Sequence, residues 1–231
     1  MNYQINLNEV DADGAIREAA HEVSADTRLS FLKKAGLAGG AVMGGGAVLS
    51  TLAPSAFAAG GGRPPASFGK GDIGILNYAL TLEYLEAAFY NGASAANLSL
   101  NPQAAAFLKV VTKDENAHVK FLKSALGSKA AKEPKFDFKG TNTNPAMFLS
   151  TAQVLENTGV HAYSGQALNI KSPAYVKAAV SILTIEARHA SVIGLLNEPA
   201  GEDIAPDGPF DTPFTATKVL TAAKGTGFIV G

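Results

Sequence analysis

The chain contains no cysteine and no tryptophan, only four histidines, and charged residues at 17%. Without cysteine there can be no disulfide, no thiol catalysis, no cysteine-ligated zinc, no iron–sulfur cluster and no rubredoxin-type iron site. Charge is scarce against the roughly 25% usual for soluble domains. It is also balanced, with 19 Lys+Arg against 20 Asp+Glu and a net charge of −1. No basic surplus exists to grip a phosphate backbone, which excludes nucleic acid as a partner. The 231 residues are enough for one generous domain or two small ones, and the 47% of hydrophobic residues is ordinary. With so few histidines, their positions carry information.

The first sixty residues differ from the rest of the chain. Residues 1–28 are polar and acidic, ending at Arg28, and Phe31-Leu32-Lys33-Lys34 leads into a stretch with no charge from Ala35 to Gly62. Ala56-Phe57-Ala58 is a small-x-small cleavage pattern. A charged region, a weakly apolar run and such a site in that order read as an export signal over residues 1–58. The alternative is an uncleaved N-terminal anchor, because the uncharged run is long enough to span a bilayer. Glycine and alanine dominate residues 35–54, which makes a poor spanning helix. The segment resembles a twin-arginine leader: Arg28 matches the first arginine and Phe31-Leu32-Lys33 the tail, while Leu29 stands where the second arginine belongs. The expectation is an exported protein of the periplasm or cell envelope, touching a membrane only through this leader if it is uncleaved.

Beyond a linker at 59–71, the chain marks its own helices. Asp72 can cap a helix running to Asn91-Gly92. Asn101-Pro102, Asn144-Pro145 and Ser172-Pro173 can start three more, ending near Gly127, near Ile170 and at Asn197. A capping side chain followed by proline at the first helical position is a strong start signal. Between these points apolar residues recur at spacings of three and four, with no strand-like alternation. The expected fold is all-α: a four-helix bundle over 72–197, made of two hairpins joined by a long crossover. The remainder, 198–231, is a Pro-, Gly- and Asp-rich tail with a short helical candidate at Thr215–Lys224.

Two histidines sit in the same setting. His118 closes Glu115-Asn116-Ala117-His118, and His189 closes Glu186-Ala187-Arg188-His189. On a helix each Glu-x-x-His pair shares one face, and in both helices that face is the apolar core stripe. The other two helices supply Glu83 with Tyr90 and Glu156 with Tyr163, each pair seven residues and two helical turns apart. Each hairpin thus carries Glu…Tyr and then Glu-x-x-His, a pattern read as a duplication folded face to face.

Ionisable groups aimed at a core are costly unless something pairs with them. Two divalent cations would balance four carboxylates, and carboxylate plus imidazole suits iron or manganese, and less selectively zinc; iron is the leading expectation and manganese the second. The candidate ligands are Glu83, Glu115, His118, Glu156, Glu186 and His189. Glu115 and Glu186 are expected to bridge, and Glu83 and Glu156 to be terminal. Glu86 is read as a flanking acid, His161 as a surface or supporting histidine, and Tyr90 and Tyr163 as core aromatics able to hydrogen-bond ligand carboxylates. Lys129, Lys132, Lys135 and Lys139 are expected in solvated crossover loop.

One Glu from each of two helices plus Glu-x-x-His from the other two resembles the ferritin-like superfamily. The segments Ile75–Tyr90 and Phe228–Gly231 are similar to its exported branch, which includes desiccation-related proteins. The resemblance implies a di-iron or di-manganese centre that oxidises metal or removes peroxide or O2 under stress. Its partners would be O2, peroxide and Fe(II), with homo-oligomerisation left open. In several members an Asp follows each ligand histidine, whereas Val119 and Ala190 stand there in this chain. The competing reading is a non-enzymatic stress or surface protein whose metal site is structural or empty.

Overall fold

The computed structural model describes residues 62–198, 201 and 204–230; the expected export signal lies outside them. Five α-helices and no β-strand occur among the described residues: α1 Gly71–Ala95, α2 Pro102–Leu126, α3 Pro145–Ala167, α4 Pro173–Asn197 and α5 Ala216–Gly225. The expected all-α bundle is therefore what forms.

Two of the expected starts work as capping chemistry requires. Asn101 accepts from the Ala104 amide at 2.8 Å, and Asn144 accepts from the Ala146 amide at 2.9 Å, each with proline as the next residue. Asp72 does not cap α1, whose N-cap is Lys70. Lying one residue inside α1, it accepts instead from the amides of Lys171 and Ser172, at 2.9 and 2.8 Å. The two amides just before α4, which α4 cannot satisfy itself, are thus paired from across the bundle. Ser172, expected to cap α4, makes no side-chain cap.

The helices pack as two hairpins, α1 with α2 and α3 with α4, with α1 meeting α3 and α2 meeting α4 between them. The core has three apolar clusters. One joins Phe89, Tyr90, Phe107, Val111, Phe148 and Ile193; a second, at the other end, joins Leu76, Leu80, Leu122, Tyr163, Ala179 and Ile182. Each buried side chain of this size contributes on the order of 1.5–3 kcal/mol. The third cluster lies beneath α5, where Ala216, Val219 and Ala223 cover Tyr78, Leu82 and Ala162. The apolar α4 is long enough to cross a membrane by composition, but Glu186 and His189 are buried inside the bundle from it.

The tail is more ordered than its composition suggests. Gly165 admits it: a Cβ there would lie 1.9 Å from the Phe214 carbonyl oxygen. His161 stacks on Phe214 with ring centroids 4.1 Å apart, and its Nδ1 donates to the Thr212 carbonyl at 2.8 Å. His161, expected at the surface or beside the ligands, is a tail anchor. Further on, the Asp137 amide donates to the Phe228 carbonyl at 2.8 Å, and Phe138 packs edge-on to Phe228. The chain's end thereby straps the crossover, whose four lysines are exposed as expected.

Candidate metal centre

Helical spacing brings the six candidate residues to one level of the bundle. Glu83 comes from α1, Glu115 and His118 from α2, Glu156 from α3, and Glu186 and His189 from α4. All four carboxylates are 0% exposed and both histidines are buried. His118 Nδ1 lies 3.2 Å from oxygens of Glu83, Glu115 and Glu186. His189 Nδ1 lies 3.1 Å from Glu115 Oε1 and 3.3 Å from Glu156 Oε2.

The atoms fall into two groups, each within 4.8 Å: Glu83, Glu115, His118 and Glu186, and Glu115, Glu156, Glu186 and His189. Glu115 and Glu186 belong to both. Buried polar atoms almost always find a partner. Here Glu115 Oε1, Glu156 Oε2, both oxygens of Glu186 and Nδ1 of His189 have no hydrogen bond among the described residues. Lone pairs converge on one buried point, which is the complement of a cation. Glu and His donors in this number fit divalent iron, manganese or zinc.

Electrostatics points the same way. Burial pushes the Glu115 carboxyl up to about 7, helped by Glu83 and opposed by the two histidines. Burial and then the Glu115 charge hold Glu186 well above the usual carboxylate range. Burial disfavours the charged form of His189, yet the close carboxylates of Glu115 and Glu156 outweigh it and carry the imidazole to about 11. His118 is raised in the same way by Glu115, Glu186 and Glu83. Without a cation, the cluster relieves its buried negative charge by retaining protons.

The outer contacts are specific. Tyr90 donates to Glu156 and Tyr163 donates to Glu83, each tyrosine reaching across from the opposite hairpin. This crossed pairing places Glu83 beside Tyr163 and Glu156 beside Tyr90, so α1 and α3 run antiparallel. The support that Ala190 does not give His189 comes from α2, where Asp114 Oδ2 lies 3.4 Å from His189 Nε2. Sequence reasoning missed Asp114. Its signal was its place just before Glu115, but the partner stands 75 residues away.

Glu86 lies beside the cluster without belonging to either group. It is buried, its Oε2 has no partner, and burial together with the charges of Glu186 and Glu115 holds it well above the usual range. A protonated Glu86 leaves four carboxylates to balance two divalent cations. Its space exists because Gly159 stands opposite: a Cβ there would lie 2.7 Å from Glu186 Oε2 and 3.4 Å from Glu86 Oε1.

The family model of the ferritin-like domain matches residues 71–198, more than half the chain and all four bundle helices. No curated protein matches the chain.

Proposed function

The chain belongs to the ferritin-like domain family, and from that footing we propose that it is an exported protein holding two metal ions, iron before manganese, with which it oxidises metal or removes peroxide or O2 under stress. The observation that carries this reading is the pair of four-atom groups sharing Glu115 and Glu186, with unpartnered lone pairs in each. The twin-arginine-like leader supports the location. Glu83, Glu115, His118, Glu156, Glu186 and His189 would hold the two ions, with Glu115 and Glu186 common to both groups.

A redox-active pair in this site supplies the electrons that O2 or peroxide takes up. The protein's part is to hold and enclose. Tyr163 and Tyr90 engage one oxygen of Glu83 and of Glu156, which turns the other oxygen inward. Asp114 orients His189 through Nε2. Phe89, Phe107 and Phe148 on one side and Leu80, Leu122 and Ile182 on the other exclude bulk water. An apolar pocket of about 20 Å³, lined by Tyr78, Ala179 and Tyr163, has room for one molecule the size of water and meets the cluster through Tyr163, which donates to Glu83.

The test is metal analysis of protein from its native compartment and after anaerobic loading with Fe(II) or Mn(II), then measurement of peroxide and O2 consumption. About two metals per chain, with turnover faster than free metal, is the expected result. Two metals without turnover would favour a structural site. Less than one metal per chain after loading would sink the reading.

A further inference from the structure

Away from the metal centre, the hairpin α1–α2 carries a groove of about 440 Å³ where the chain turns from α1 into α2. Ala93, Leu98, Leu100 and Leu108 give it an apolar lining. Its charged residues are Lys109 and Lys113, four residues and one turn apart on α2. Both are exposed, and among the described residues neither has an ion pair. Asp114, the nearest acid in sequence, is turned to His189 instead. Uncharged pairs tie the two walls together. Ser94 Oγ lies 3.1 Å from Thr112 Oγ1, and the Asn91 and Asn116 amides exchange hydrogen bonds at 3.2 and 3.0 Å. These groups are partnered across the helices, so the groove keeps its width by itself and two positive charges stand unanswered in it. In a chain of net charge −1, that is a local arrangement and not a general surplus.

We propose that this groove binds a small phosphate monoester with an apolar body. The volume is that of a small-molecule site. A phosphate monoester carries nearly two negative charges at neutral pH, which two lysine point charges match; a carboxylate would leave one of them over. The apolar lining takes the organic group. A concave site fits a single molecule better than a flat bilayer, and among the described residues no aromatic side chain lines it on which a nucleic-acid base could stack. The proposal is independent of the metal reading, because Lys109 and Lys113 stand on the exposed side of α2 while Glu115 and His118 are buried on the other.

Calorimetric titration of the full chain at low salt tests it, with hexyl phosphate as the probe beside inorganic phosphate and hexanoate. Hexyl phosphate should bind more tightly than either. Lys109→Gln and Lys113→Gln should each weaken it about tenfold, whereas Lys120→Gln, also exposed on α2 but outside the groove, should leave it unchanged. Ala105→Trp, which fills the groove from α2, should weaken hexyl phosphate and spare inorganic phosphate. Equal weakening by Lys120→Gln would reduce the effect to diffuse charge and overturn the proposal. Inorganic phosphate or hexanoate binding as tightly as hexyl phosphate would overturn it too. Binding to vesicles containing phosphatidic acid without binding to hexyl phosphate would assign the lysines to a membrane surface instead. A folded wild type that binds none of these probes at millimolar concentration would leave the groove without the proposed ligand.

Discussion

The hairpins α1–α2 and α3–α4 carry the same ligand set, yet they are not equivalent. The first adds Glu86 at the ligand level and Asp114 behind the ligands; the second has Gly159 and Ile185 at the corresponding places. Burying one more carboxylate requires room, and the second hairpin gives it by having no side chain at Gly159. Supporting a histidine requires a second acid, and only the first hairpin supplies one. The first hairpin thus provides excess acid, and the second makes space for it. The repeated Glu…Tyr and Glu-x-x-His pattern sets the six candidate ligands, while the departures from it distinguish the two halves.

The comparison can be broken most severely where the halves share atoms. Glu115→Ala and Glu186→Ala should each abolish binding of both metals, because both carboxylates belong to both groups. Elemental analysis that finds one metal retained in either variant would show that the bridging assignment is wrong.

A second effect is read from pH. The folded, metal-free protein keeps a proton on Glu115 up to about pH 7, whereas the unfolded chain releases it near 4.5. The stability from that proton is present below about 4.5 and lost as pH rises through 7. His189 adds the same sign over a higher window: its contribution is present below 6.5 and lost toward 11. The melting temperature of metal-free protein should therefore fall from pH 5 to pH 8. Metal binding releases those protons, so the gap between metal-loaded and metal-free protein should widen over the same range. A metal-free melting temperature that rises with pH would contradict the buried-proton account.

Filling the space in the second hairpin sharpens the contrast further. Gly159→Ala forces a methyl to 2.7 Å from Glu186 Oε2, an overpacking that should cost about 1–3 kcal/mol in denaturant unfolding. Glu86→Gln should keep both metals, since Glu86 is in neither group, and should raise metal-free stability by removing a buried acid. Loss of a metal in Glu86→Gln would make Glu86 a ligand.

The smallest effect belongs to the tail. His161→Ala removes the Thr212 hydrogen bond and the Phe214 stack. It should cost about 1 kcal/mol, expose residues near Phe214 to protease, and leave metal content unchanged. Depleted metal would place His161 in the site after all.

The helix starts were legible where the signal was local. Asn101-Pro102 and Asn144-Pro145 cap the helices that they precede, because an N-cap acts within three residues. Asp72 has the same residue chemistry, but its amides lie about a hundred residues ahead, and no spacing rule reaches that far. The six candidate ligands were legible because each Glu-x-x-His and Glu…Tyr pair repeats within one helix and falls on its apolar stripe.

What the sequence alone determined is therefore periodic: four helices, which face of each is buried, and which acids and histidines stand on that face. These properties come from the 3.6-residue repeat and the burial of apolar stripes. The tertiary structure alone decided the pairings between helices: Tyr90 with Glu156, Tyr163 with Glu83, Asp114 with His189, and Glu86 opposite Gly159. A helix sets the angle and height of each side chain along its own axis. Which side chain meets it from a neighbour depends on how the helices are placed beside one another, and only their mutual packing sets that.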